Sequence, residues 1–417
     1  MASRSWWAVR ASKLTAALLA IRLVALALPA VEAGEAVLVV PPSPESVNAV
    51  VPLDGAMPEG AATWQLAELG SDLAVPAQVV PALSPEGLKG NRRLAVAIPP
   101  AAGERARRFA IRPGPAPAEG SGFRLEDLDD KSLKLWDGDA PLLVYNHGPI
   151  TAEHVPESDP RRTRSCYLHP LWGLNGEVLT ADFPRDHYHH HGIFWTWPHV
   201  GIEGQEYDLW ADRGIRQQFV AWLARETGPV AGVIGVENGW FVGDRKVMVE
   251  RVWIRAYRAV GESRGLDLEF VWIPTDRPVT LWGASGKSYG GLTVRFAPPS
   301  AKDPATTITV PSGPTTGDLP DTPLAWADFT SRFGDFAERS GAAVFVHPEH
   351  PDFPPTWLTR HYGPLCIGWP GVDPKTFEPG EVIRLDYRVW IHKGSVETAQ
   401  IEQAYEAYAQ GEAIAWE

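Results

Sequence analysis

The 417-residue chain carries 38 Lys and Arg against 51 Asp and Glu, a formal charge of −13, with 44% hydrophobic residues, 39 glycines and 39 prolines. This composition excludes a disordered, coiled-coil or collagen-like chain and points to a turn-rich β protein long enough for two domains. The net negative field repels phosphate, which argues against nucleic acid and anionic membrane as general partners.

Residues 1–33 read as an export signal. Arg4, Arg10 and Lys13 precede the apolar stretch from Leu14 to Pro29, and Val31 and Ala33 flank Glu32 in the layout of a signal-peptidase site. Arg22 interrupts the apolar run, and no later segment has the length of apolar sequence needed to cross a bilayer. The expectation is a secreted or periplasmic protein with no membrane span once the signal is removed.

From Ala36 to Ile111, short apolar runs alternate with Pro and Gly clusters, the pattern of a small β-sandwich over residues 34–112. It contains neither His nor Cys, so packing or presentation is its expected role. The stretch from Pro113 to Gly122 has a linker composition, and a second domain is expected over residues 123–417. There Leu133 to Trp136 and Leu142 to Tyr145 join through Asp137-Gly138, a hairpin signal. Leu266 to Trp272 and Ile383 to Ile391 alternate apolar with charged residues, as half-buried strands do. Helical spacing occurs near residues 207–226 and from Val396 to Ala409. The fold class expected is all-β: a small N-terminal sandwich, a large antiparallel two-sheet domain and a C-terminal helix. Cys166 and Cys366 are compatible with one disulfide or with two buried thiols.

The densest polar cluster runs from Asp182 to Trp195 and contains His187, His189, His190 and His191 beside Asp186, with Tyr167 and His169 shortly before it. In a strand, His187, His189 and His191 would face one way; in a loop all could converge. Neutral imidazoles with a carboxylate can hold Zn, Cu or Fe. They can equally act as general acids and bases or bond sugar hydroxyls, or form an ordinary polar loop. The run matches no tight metal motif, so a site without a metal is the leading reading and a metal ion the alternative.

Two further patches accompany it. Trp282 to Leu292 is Gly-rich and offers Lys287 and Tyr289; it lacks the early glycine and following helix of a phosphate loop. His347 to Trp357, followed by Arg360 and His361, reads as a Pro-stiffened loop leaving a sheet edge. Trp172, Trp195, Trp197, Trp282 and Trp357 flank these patches and are candidate sugar platforms, although indoles also fill β cores.

The combination of Tyr145-Asn146, Tyr167-Leu-His169-Pro-Leu-Trp-Gly, Leu179-Thr180, Asp186-His187-Tyr-His189-His190, Lys287-Ser-Tyr-Gly-Gly-Leu, Val346-His347-Pro and the strand from Tyr387 to His392 resembles an exported bacterial family labelled PmoA-like or methane oxygenase. The resemblance runs from Phe123 to Ala409, with His191 and Asp352 standing where that family usually has Arg and Asn. A true methane oxygenase subunit has several transmembrane helices, which this chain lacks, so methane oxidation is set aside. At fold level the pattern is similar to the galactose mutarotase-like supersandwich, whose concave face acts on sugars.

The resulting expectation is an exported protein that binds or transforms a carbohydrate, a small-molecule or oligosaccharide substrate, without a required cofactor. His187, His189, His190 and Lys287 would be the catalytic groups. Asn146, Tyr167, His169, Trp195, Tyr289, His347, Trp357 and Arg360 would bind substrate. A metal-dependent oxygenase or hydrolase built on the same histidines and a non-catalytic sugar-binding module are the alternatives.

Overall fold

The computed structural model describes residues 36–53, 63–82, 92–115 and 122–417. Residues 1–33, read above as an export signal, and most of the Pro/Gly stretch after Pro113 lie outside these residues. Strands dominate, every pairing between them is antiparallel, and the one α-helix among the described residues is Ile401–Ala409.

Two nine-stranded sheets form the body. The front sheet carries Ile193–Thr196, Gly291–Arg295 and Tyr167–Leu171 at its centre. The back sheet is built on long strands: Arg216–Thr227, Ala231–Val242, Arg245–Tyr257, Ser263–Pro274 and Ile383–Lys393. Alternation explains the stacking. Ile193 and Trp195 of the front sheet, and Leu266, Leu268 and Phe270 of the back sheet, turn into one shared apolar core. The hairpin expected at Asp137-Gly138 joins Ser132–Asp137 to Ala140–Asn146, with Gly138 at φ +56°, a left-handed turn that glycine adopts at little cost.

A seven-stranded sheet combines the strands between Val37 and Pro113 with the C-terminal strand Ala415–Trp416 around its own core. It lies on the outward face of the back sheet, where Val80 and Ala95 meet Val233, Trp253 and Val271. Gln78 Oε1 accepts the backbone N–H groups of Val230 and Ala231, which fixes this docking. The helix covers the adjoining part of the same face through Ile401, Ala404 and Tyr408, against Trp326, Phe345 and Trp390. The front sheet's outer face is thereby left to carry other chemistry.

One expectation fails here. The stretch near residues 207–226, read as helical from its spacing, holds no helix: it runs from the end of the strand Gln205–Tyr207 through turns into the strand Arg216–Thr227, which pairs with Ala231–Val242. Two register irregularities, between Phe219 and Ala221 and between Trp222 and Ala224, insert extra residues and convert a period of two into a helix-like spacing. Cys166 and Cys366 are free, buried thiols; burial pushes the Cys366 thiol up to about 12.

Candidate functional site on the outer face of the front sheet

Between Thr180 and Ile193 the chain leaves the front sheet in two consecutive tight turns. His187 N donates to Pro184 O at 2.9 Å and His190 N to His187 O at 3.0 Å, while Phe183 N closes the excursion on His190 O. An isolated bridge pairs Asp182 with His191 at its base. The histidines therefore sit in a loop, and their side chains converge. Gly192 ends it against the neighbouring strand, where a Cβ would lie 1.9 Å from Leu168 O.

His187 and His190 stack in parallel at 4.6 Å between centroids, and His189 stands edge-on to both at 5.6 and 4.8 Å. Tyr362, from the turn after Thr356–Thr359, stacks on His187 at 5.3 Å and is 42% exposed. Trp210 approaches His189 and His190 from the opposite side and contacts Tyr289 at 4.7 Å. Beneath lies a small apolar cluster of Tyr167, Phe194, Trp210, Leu358 and Cys366, formed by the residues that alternate with the shared core.

Arg295, 4% exposed, rises from the strand Gly291–Arg295 and donates to both oxygens of Asp186 at 3.0 and 2.8 Å. Its guanidinium also lies 4.8 Å from the Tyr362 ring. Asp186 Oδ2 is 3.0 Å from His187 Nδ1. Burial opposes ionisation of Asp186, but the bonds from His187 and Arg295 hold its carboxyl below the usual range. With Nδ1–H donated to Asp186, His187 keeps Nε2 as an acceptor, a base oriented by a carboxylate. Arg295 Nε and Nη1 and His190 Nδ1 are buried without hydrogen-bond partners.

Burial sets the protonation of the neighbours. His189, half-buried and close to His187 and Arg161, is lowered to about 3, and burial carries His190 well below its ordinary value. Burial also lowers His191, outweighing the Asp182 carboxylate 2.8 Å from its Nδ1. At neutral pH these imidazoles are uncharged acceptors or donors.

The structure sorts the expected residues. His187, His189, His190 and Tyr289 share this face; Tyr167 lies buried in the cluster beneath it, Asn146 is buried beside Tyr167, and His169 is half-buried next to them. Tyr167 donates to Asp182 Oδ2 at 2.8 Å, His169 Nδ1 meets Thr180 Oγ1 at 3.0 Å, and Asn146 Nδ2 donates to His169 O. Lys287 is exposed in the turn after Ala284, and among the described residues no hydrogen bond, ion pair or ring contact joins it to the histidines. Arg360 is bound to Asp318 at 3.1 Å. Trp195 and Trp357 are fully buried, donating to Glu250 and to Leu324 O, and cannot stack on a ligand. Trp197 is likewise core, and Trp282 stacks on His199. His347 lies across the molecule, in a cavity under the seven-stranded sheet.

Sequence reasoning did not single out Arg295, Trp210 and Tyr362. Arg295 had a signal, an arginine closing an otherwise apolar strand; Tyr362 had one in its position beside Arg360 and His361.

A metal ion lies in the plane of each imidazole that binds it. The His187 and His190 rings, parallel within 4° and stacked, define two separate planes, so as arranged they cannot share an ion. Among the described residues no group of three or more His, Cys, Asp or Glu has metal-holding geometry. No helix among them is long and apolar enough to cross a membrane.

No curated protein matches the chain. Among solved structures, a heparan sulfate lyase HepC mutant from Pedobacter heparinus is similar at 10% identity and a TM-score of 0.32, covering 68% of this chain; the chain spans 38% of that protein's length. So distant a likeness carries no argument about chemistry. The model of DUF6807, a family of unknown function, matches residues 132–406, and the chain belongs to that family.

Proposed function

We propose that the loop-covered outer face of the front sheet binds a carbohydrate and that His187 acts on it as a base. The observation that carries this reading is the joining of an exposed aromatic ring, Tyr362, to a carboxylate-oriented imidazole, His187, on one accessible surface. Sugars present apolar faces that stack on such rings and hydroxyls that bond neutral imidazoles. Asp186, held by Arg295, fixes the tautomer of His187 and would stabilise the imidazolium formed on proton abstraction. The resemblance of the motifs to the exported PmoA-like family adds export to this reading. Methane oxidation forms no part of it.

The test is an assay of the full chain against neutral and uronate-containing oligosaccharides, reading both binding and chain cleavage or epimerisation. His187→Ala is expected to abolish turnover and leave the thermal transition nearly unchanged, because site residues contribute little to the core. Asp186→Asn should retain binding and lower turnover. Binding without turnover in the unaltered protein would make the face a sugar-binding module, and turnover surviving His187→Ala would remove the assigned base. Export is tested separately: amino-terminal sequencing of secreted protein should begin at Gly34.

A further inference from the structure

A polar cavity that shares no residue with the histidine loop lies under the seven-stranded sheet. A space of about 730 Å³ opens between the seven-stranded sheet and the outward face of the back sheet. One wall is the strand Val47–Pro52 with the C-terminal segment from Gly411 to Trp416; the other is the charged side of Ile383–Lys393 and Ser263–Pro274, with His347 and Glu349 at the edge. A volume of this size fits the range of small-ligand sites.

Most of its interior charges are spent on one another, while Arg93, on the strand Arg92–Ile98, and the exposed Glu349 also line it. Arg388 grips Asp267 with two bonds of 2.6 and 3.0 Å and donates to Asn48 O at 2.8 Å. Arg384 bridges Asp386 at 3.0 Å and Glu269 at 3.7 Å, two carboxylates facing each other across neighbouring strands. Beside the half-buried Arg93, what remains is neutral or acceptor chemistry. Asn48, 4% exposed, has a buried Oδ1 with no hydrogen-bond partner, and so does Asp386 through its Oδ1. His347 accepts the Glu349 backbone N–H on Nδ1 at 3.3 Å, leaving Nε2–H as a donor. Burial, reinforced by Glu269, lifts Asp386 to about 7, so the group can be met as a neutral carboxyl. Trp416 supplies a partly exposed ring at the rim.

We propose that this cavity is a second ligand site, and that it takes a neutral saccharide. A charged ligand that reached the paired residues would have to break the Arg388–Asp267 or Arg384–Asp386 bonds, whereas hydroxyl groups both accept from Arg93 and supply the donors that Asn48 Oδ1, Asp386 Oδ1 and the exposed Glu349 carboxylate lack. The orphaned buried acceptors are the physical reason for a ligand there, because their desolvation is otherwise uncompensated. The proposal stands on this cavity alone and does not require the histidine face to bind anything.

The full chain is titrated with maltose, cellobiose, lactose and chitobiose as neutral probes and digalacturonate as an acidic one, by calorimetry and saturation-transfer NMR. At least one neutral disaccharide is expected to bind in the millimolar range, equally in the unaltered chain and in His187→Ala. Its affinity should fall about tenfold in Asp386→Asn and in Glu349→Gln. Glu349 is exposed, so its variant tests the site even if Asp386→Asn folds poorly. Binding by digalacturonate alone, binding lost in His187→Ala but kept in both cavity variants, or no binding by any neutral probe would each overturn the proposal. The His187→Ala arm separates this result from failure of the reading given to the histidine face.

Discussion

Asp182 shows how much of the histidine loop depends on a single carboxylate. It accepts from Tyr167 Oη on one oxygen and faces His191 Nδ1 with the other, both at 2.8 Å, and it pairs with His191 at the base of the loop. Asp182→Ala orphans two buried donors, and each costs about 1–3 kcal/mol. Denaturant unfolding should register a loss of roughly 2 kcal/mol or more, and His187 should lose activity with it because the loop is no longer tied down. A protein that loses neither would show that the loop is held elsewhere. His189 gives a pH prediction of definite sign. Its folded pKa is about 3 against an ordinary value of 6.5, so the unfolded chain binds the proton first as pH falls. The stability it confers is complete above pH 6.5 and declines below that value towards pH 3. The stability difference between the unaltered chain and His189→Gln, measured from pH 7 to pH 4, should shrink with acidification by no more than about 1.4 kcal/mol per pH unit. A difference that grew would reverse the assigned burial.

At the scale of elements, the interior is organised around one buried acid. Glu250 Oε1 accepts from Trp195 and Asn238, and Oε2 accepts from Gln217, Trp240 and Trp272, all at 2.8–2.9 Å. These donors come from both large sheets, so the carboxylate joins the two layers at depth. Glu250→Ala should cost at least about 3 kcal/mol, read as a lower thermal midpoint, since five buried N–H groups lose their acceptor. This network also explains why the sequence misled about Trp195. An indole beside a polar patch looks the same whether it stacks on sugar or donates to a buried carboxylate, and only the register of the back sheet separates the two. The strands at Leu266–Trp272 and Ile383–Ile391 were legible because charged residues alternate with apolar ones along most of their length, and the terminal helix because Ile401, Ala404 and Tyr408 share a face. The segment from Arg216 to Thr227 was not, because its bulges imitate helical spacing. Of the site, the histidine run was visible from composition. Arg295 and Tyr362 were not joined to it, since contacts spanning 109 residues, as between Asp186 and Arg295, arise from strand order that no local pattern records.

In the whole molecule, the C-terminus closes the seven-stranded sheet. Leu38 and Val39 pair with Trp416 and Ala415, Ile414 enters that sheet's core, and Trp416 Nε1 donates to Pro52 O at 2.7 Å. Removing residues 411–417 should therefore destabilise the distant N-terminal strands, by about 3 kcal/mol for the lost apolar burial, and expose residues 36–113 to protease before the large sandwich unfolds. Simultaneous unfolding of both would show a single cooperative unit. The layering also divides the surface: the back sheet is covered by the seven-stranded sheet and the helix, and the front sheet presents the histidine loop. The central claim, that this front face receives a saccharide, is tested most directly by a crystal structure of the full chain with an oligosaccharide bound. The expected complex has a sugar ring stacked on Tyr362 with a hydroxyl or ring proton within reach of His187 Nε2. A sugar seated elsewhere with the front face empty, or no saccharide bound at all, would contradict it.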